Sequence, residues 1–181
     1  MTWYLTLIIV SFALFVVYNS VAIGLFGIPT SLSDTYYLYE KKRTGLGWLF
    51  TIFMWLMGFT MTPAWIVISE KVGVWMSYFT FLAFIAAACI LFVGAAPKFR
   101  EKYSIEVDVH MIGAKICAAA ALAWCFVVCW KIWYVPLIAL LVPVIVATAT
   151  KSWKEKYTYW LEMMAFDATF ATIITEACIL C

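Results

Sequence analysis

Charge is what this chain of 181 residues has least of. Lysine, arginine, aspartate and glutamate together make up 12% of it, about half the ~25% of a soluble globular domain. It has one histidine and five prolines. So little charge excludes a disordered chain, which stays unfolded through polarity and self-repulsion. A net charge of +2 leaves no basic patch for nucleic acid. A lone histidine leaves no histidine-rich metal centre, and no cofactor motif is present. What fills the space is apolar. The hydrophobic fraction is 67% and the mean hydropathy +1.01. A soluble fold of this size leaves too much surface exposed to hide two thirds of its residues. The composition describes an integral membrane protein whose partner is the lipid bilayer.

A helix needs ~20 mostly apolar residues to cross ~30 Å of hydrocarbon. Six stretches qualify: about 4–28, 46–69, 72–96, 109–130, 132–150 and 157–181. They are too long and too continuously apolar for barrel strands, which alternate over ~10 residues. The expected fold is all-α, a single domain forming a six-transmembrane-helix bundle with no soluble domain. Span one has neither a basic leader nor a small-residue cleavage site, so it reads as a retained helix. The link around Lys131 is very short and predicts that spans four and five are antiparallel neighbours. Pro63, Pro136 and Pro143 predict local kinks.

Lysine and arginine in short loops set orientation. Lys41, Lys42 and Arg43 follow span one; Lys98, Arg100 and Lys102 follow span three; Lys151, Lys154 and Lys156 follow span five. The opposite side has only Lys71 and Lys131. This bias places both termini outside and the basic loops in the cytoplasm, in a cytoplasmic-type membrane such as the bacterial inner membrane. Most tryptophans fall at span ends, where an indole ring sits half buried at the interface. Trp3, Trp65, Trp75, Trp130 and Trp133 belong to the outer end, and Trp48, Trp153 and Trp160 to the cytoplasmic end. Only Trp55 and Trp124 lie deep enough to wall a ligand.

Span four carries Gly113, Cys117, Ala121, Cys125 and Cys129 at steps of four, and span three carries Ala83, Ala87 and Ala88. Small residues so spaced let membrane helices approach closely. This places spans three and four inside the bundle, and the same faces would serve a homo-oligomer. Met54, Met57 and Met61 form a stripe on span two that reads as flexible packing. Cys125, Cys129, Cys178 and Cys181 fall toward the outer side, where an oxidising exterior would permit a bridge between spans four and six.

Ionisable groups inside a membrane are costly and are functional candidates by default. At ~1.5 Å per residue, Lys115 and Glu162 lie roughly 8–9 Å inside the cytoplasmic boundary and Asp167 about 15 Å inside. Asn19 shares that half of the bilayer, and Asp108 and His110 sit at its mouth. The deep Asp167 most needs a partner, and Lys115 is the expected one. Glu162 has the option of snorkelling to the interface, and Glu176 reads as a snorkelling charge near the outer end.

The helix count, the turn Ser31-Leu32-Ser33-Asp34 after span one and the histidine opening span four resemble the DRAM-type family of six-helix membrane proteins. That resemblance implies a six-helix bundle without assigning a chemistry. It carries over Ser33 and Asp34, which also suit a helix cap. The membrane hydrolases that include alkaline ceramidases hold zinc with three histidines, and this chain has only His110.

The functional expectation is a cavity open to the cytoplasm that binds or conducts a small solute or ion. Asn19, His110, Lys115 and Asp167 would line it, with Ser33, Asp34, Asp108 and Glu162 in support. The alternatives are a membrane-embedded hydrolase using Asp34 and His110 at the cytoplasmic surface, and a non-catalytic assembly protein.

Overall fold

A computed structural model describes residues 3–100 and 105–180. Lys102 and Cys181, used above for orientation and for a disulfide, lie outside the described residues. Among those described the regular structure is helical throughout. The long helices are α1 (Trp3–Phe26), α3 (Trp48–Val72), α6 (Ile105–Val127) and α8 (Tyr157–Leu180). A further span, Val74–Ala95, is broken into α4 (Val74–Ser77) and α5 (Thr80–Ala95). These five segments are long and apolar enough to cross a membrane, whereas α7 (Tyr134–Ala149) is apolar but shorter. The loop after α1 contains a short helix, α2 (Thr35–Lys42), that its polar sequence concealed.

The elements stop where local chemistry stops them. Gly27, at φ 72°, follows α1 and returns its N–H to the Ile23 carbonyl at 2.8 Å. A residue with a β-carbon resists that left-handed conformation. Pro63 and Pro143 lie within helices. Pro136 does not interrupt α7; it stands in the first turn, where its missing N–H has no helical acceptor to lose.

Helices α1, α3, α5, α6 and α8 form a ring in which each packs on the next, α8 closes back on α1, and α3 also touches α8. The short link does not make α6 and α7 close neighbours: α7 packs chiefly on α8. The α3–α5 and α5–α6 seams are tight, as the small residues require. A β-carbon on Gly94 would lie 2.9 Å from Met54 Cβ, and one on Gly113 would lie 3.3 Å from Val93. Small residues mark a close seam rather than the bundle centre, however, and the most buried spans are α3 and α8.

Side chains such as Val17, Phe59, Ile138 and Ile145 point outward, as expected of a lipid-facing belt. Trp3, Trp48, Trp75, Trp130, Trp133 and Trp153 are exposed, but Trp65 and Trp160 are buried and leave the expected belt. The deep pair separates as well. Trp55 faces outward, while Trp124 is fully buried with its ring 6.0 Å from that of Trp65.

Candidate functional site

The loop between α1 and α2 is the polar hub of the molecule. Ser31, Leu32, Ser33, Asp34 and Thr35 are all buried, although loops usually lie on the surface because buried backbone needs partners. Here the partners come from four directions. From α8, Glu162 Oε2 accepts the Leu32 N–H at 2.5 Å, and the Tyr159 N–H reaches the Thr30 carbonyl at 3.1 Å. From α1, the Tyr18 hydroxyl lies 2.6 Å from Thr35 Oγ1. From α6, His110 Nε2 lies 2.9 Å from Ser33 Oγ. From the segment after α5, Arg100 Nη2 donates to Asp34 Oδ1 at 2.5 Å.

That last contact is the one ion pair among the described residues. Asp34 is 8% exposed and Arg100 56%, so the guanidinium lies across the loop like a strap with one face wet. It stands over the Tyr37 ring at 4.8 Å, and the Arg100 N–H donates to the Tyr37 hydroxyl at 2.8 Å. Asp34 therefore does not cap α2 with its side chain; its own N–H is received by Ser31 Oγ at 3.0 Å. Arg100, Tyr37, Thr35 and Tyr18 were missed as site residues. In the sequence Arg100 reads only as an orientation signal, and its position four residues beyond span three is the one hint of its place at the loop.

His110 is held on every side. Its Nδ1 lies 2.9 Å from the Ala96 carbonyl oxygen, and the Phe99 ring stacks on the imidazole at 4.5 Å between centroids and 19° between planes. Phe50 packs nearby.

Beyond the hub lies a partly enclosed cavity between α3, α5, α6 and α8, with about 90 Å³ open to the centres of water-sized molecules. From Met54 to Trp65 it follows α3 for roughly 16 Å at the helical rise. Leu32, Ser33 and Glu162 line one end, the methionines Met54, Met57 and Met61 one wall, and Cys117, Ala118 and Ala121 the facing wall. The methionine stripe is thus a cavity wall rather than filler alone. Trp65 also lines the space, and its buried Nε1 has no hydrogen-bond partner among the described residues.

Other expected site residues fall elsewhere. Asn19 is satisfied within the protein: its Nδ2 donates to the Phe15 carbonyl at 2.9 Å, and its Oδ1 accepts from the Tyr159 hydroxyl at 3.2 Å. It joins α1 to α8 and does not line the cavity. Lys115 is exposed on the outer face of α6, Asp167 is half-buried, and no ion pair connects them. Asp108 is exposed beside a shallow groove lined by Cys89, Phe92 and Ile112. Glu162 does not snorkel but turns in to the loop. Glu176 is buried rather than snorkelling, and its Oε2 has no partner among the described residues. Cys125 and Cys129 are buried free thiols and Cys178 an exposed one, so no disulfide joins α6 to α8 among the described residues. No cluster of histidine, cysteine and carboxylate suited to a metal ion occurs among the described residues.

Comparison with protein-family models, with curated proteins and with solved structures finds no match. Among the described residues the protein is all-helical, with five segments long and apolar enough to cross a membrane.

Proposed function

We propose that this protein binds a small, largely apolar solute within the membrane, in the cavity between α3, α5, α6 and α8. The solute's hydrogen-bonding end would meet Ser33 and Glu162. The observation that carries this reading is the cavity's polarity: methionine and alanine along its length, a serine and a carboxylate at one end. In such sites apolar walls supply affinity and a few polar groups fix orientation. A bare ion would find too few oxygen ligands here, so a solute fits better than an ion path. In this reading α7 is a sixth span. Its 16 residues cover about 24 Å, a deficit that local bilayer thinning and its flanking Trp133 and Lys151 would accommodate. The basic loops then face the cytoplasm, and the Ser33 end of the cavity faces that side. The likeness of the Ser31–Asp34 turn to DRAM-type proteins agrees with six spans and adds no chemistry.

The test is quenching of tryptophan fluorescence by a six-carbon brominated alkanol, with the protein in lipid nanodiscs. Trp65 and Trp124 lie at and behind the cavity wall, so saturable quenching is expected. It should be lost in Ala118→Phe, which fills the cavity. Linear, unsaturable quenching that is identical in both proteins is simple partitioning into lipid and would overturn the reading.

A further inference from the structure

The contact between Ser33 and His110 takes its direction from the Ala96 carbonyl behind the ring. The Ala96 carbonyl can only accept a hydrogen bond, so the His110 Nδ1 facing it at 2.9 Å carries the proton. In the neutral imidazole Nε2 then presents a lone pair. Ser33 Oγ, 2.9 Å away, donates its hydrogen to that lone pair. This is the arrangement of an activated nucleophile: a hydroxyl against a base, and the base oriented from behind by a third group. Here a backbone carbonyl fills the place that a carboxylate takes in a triad. The imidazole cannot rotate away, because Phe99 stacks on it. The serine cannot retreat, because the loop is pinned on both sides of it by Glu162 and Arg100.

Two further observations point to a reacting ligand rather than a bolt between helices. Ser33 is buried and is one of the residues that line the cavity, so the dyad stands beside the space a ligand would occupy. The Ser33 backbone N–H makes no hydrogen bond to the described residues. A nucleophile's own amide is a natural donor to the oxyanion that forms when its hydroxyl attacks a carbonyl.

We infer that Ser33 and His110 form a nucleophile–base dyad that cleaves an ester whose acyl chain lies in the methionine-walled cavity. Ser33 Oγ attacks the ester carbonyl carbon as its proton passes to His110 Nε2. The C–O bond to the leaving alcohol breaks, and His110 returns that proton to the departing alkoxide. Water, deprotonated by the same Nε2, then attacks the acyl-serine and releases the carboxylic acid, leaving Ser33 protonated as before. The inference relies on the proposed cavity for where the acyl chain lies, but not for the dyad itself.

The experiment is covalent labelling of the full chain in nanodiscs with an alkyl fluorophosphonate. The serine oxygen displaces fluoride from phosphorus, and the adduct is mapped by peptide mass spectrometry. A single adduct at Ser33 is expected, absent in Ser33→Ala and slowed by about 100-fold or more in His110→Gln. An octyl phosphonate should label faster than an ethyl one, and Ala118→Phe should abolish that preference. If His110→Gln does not fold, the wild-type adduct position still decides. No adduct at Ser33 in folded wild-type protein overturns the dyad, as does equal labelling of a folded His110→Gln variant. Saturable alkanol quenching without labelling sinks the dyad alone, and labelling with no chain-length preference sinks the cavity's part alone.

Discussion

Glu162 illustrates how much a single side chain decides. Its carboxylate takes the backbone N–H of Leu32, 130 residues away in sequence, at 2.5 Å. Without it that buried N–H has no acceptor, and an orphaned donor costs about 1–3 kcal/mol. Glu162→Leu is therefore expected to lower stability by about that amount in a thermal melt. Glu162→Gln, whose amide oxygen still accepts, should recover most of the loss. Equal melting of the leucine and glutamine variants would show that the bond contributes nothing. The sequence singles out Glu162, Ser33, Asp34 and His110 among its candidate site residues, and the structure gathers all four at one loop. It could not say which faces they occupy. Residue counting puts Lys115 and Asp167 in the same half of the bilayer, but it does not give them a common direction. Direction depends on how each helix is turned in the bundle.

Helix rotation was hard to read because a lipid-facing side and a packed side are both apolar. Hydropathy locates the spans and is nearly silent about their faces. The clearer signal is size. Gly94 on α5 faces α3 at close range; its carbonyl accepts the Thr51 hydroxyl at 2.8 Å, and an added β-carbon would lie 2.9 Å from both Met54 Cβ and the Trp55 ring. Met54 Cβ is fixed to backbone and cannot yield without moving α3. Gly94→Ala should therefore destabilise by about 1–3 kcal/mol. Gly58→Ala meets the mobile end of Leu91 at 2.8 Å and should cost less. Melting temperatures of the two variants compare them directly, and a milder Gly94 variant would contradict the tight seam. The α6–α7 link misled for a related reason: a short connection places two helix ends together but does not oblige the rest of the helices to pack. The 3₁₀ turn Trp130–Ile132 there redirects the chain so that α7 runs along α8.

For the whole molecule, the charge asymmetry makes a prediction that packing does not. The basic residues Lys41, Lys42, Arg43, Lys98, Lys151, Lys154 and Lys156 lie between spans that should end in the cytoplasm. A phosphatase active only outside, fused after residue 180, should therefore be active, and one fused within residues 151–156 inactive. The reverse pattern would turn the protein over and place the Ser33 end of the cavity outside. The buried 31–35 stretch has a consequence for how the chain is made. Its partners are separated from it by 66 residues for Arg100, 77 for His110 and 130 for Glu162. A ribosome delivers the loop well over a hundred residues before Glu162, its most distant acceptor. Until α8 arrives, the loop's donors must be satisfied by water at the membrane surface. The loop after α1 is thus completed only by α8, and a chain stopped before α8 carries an unfinished site that quality control can recognise.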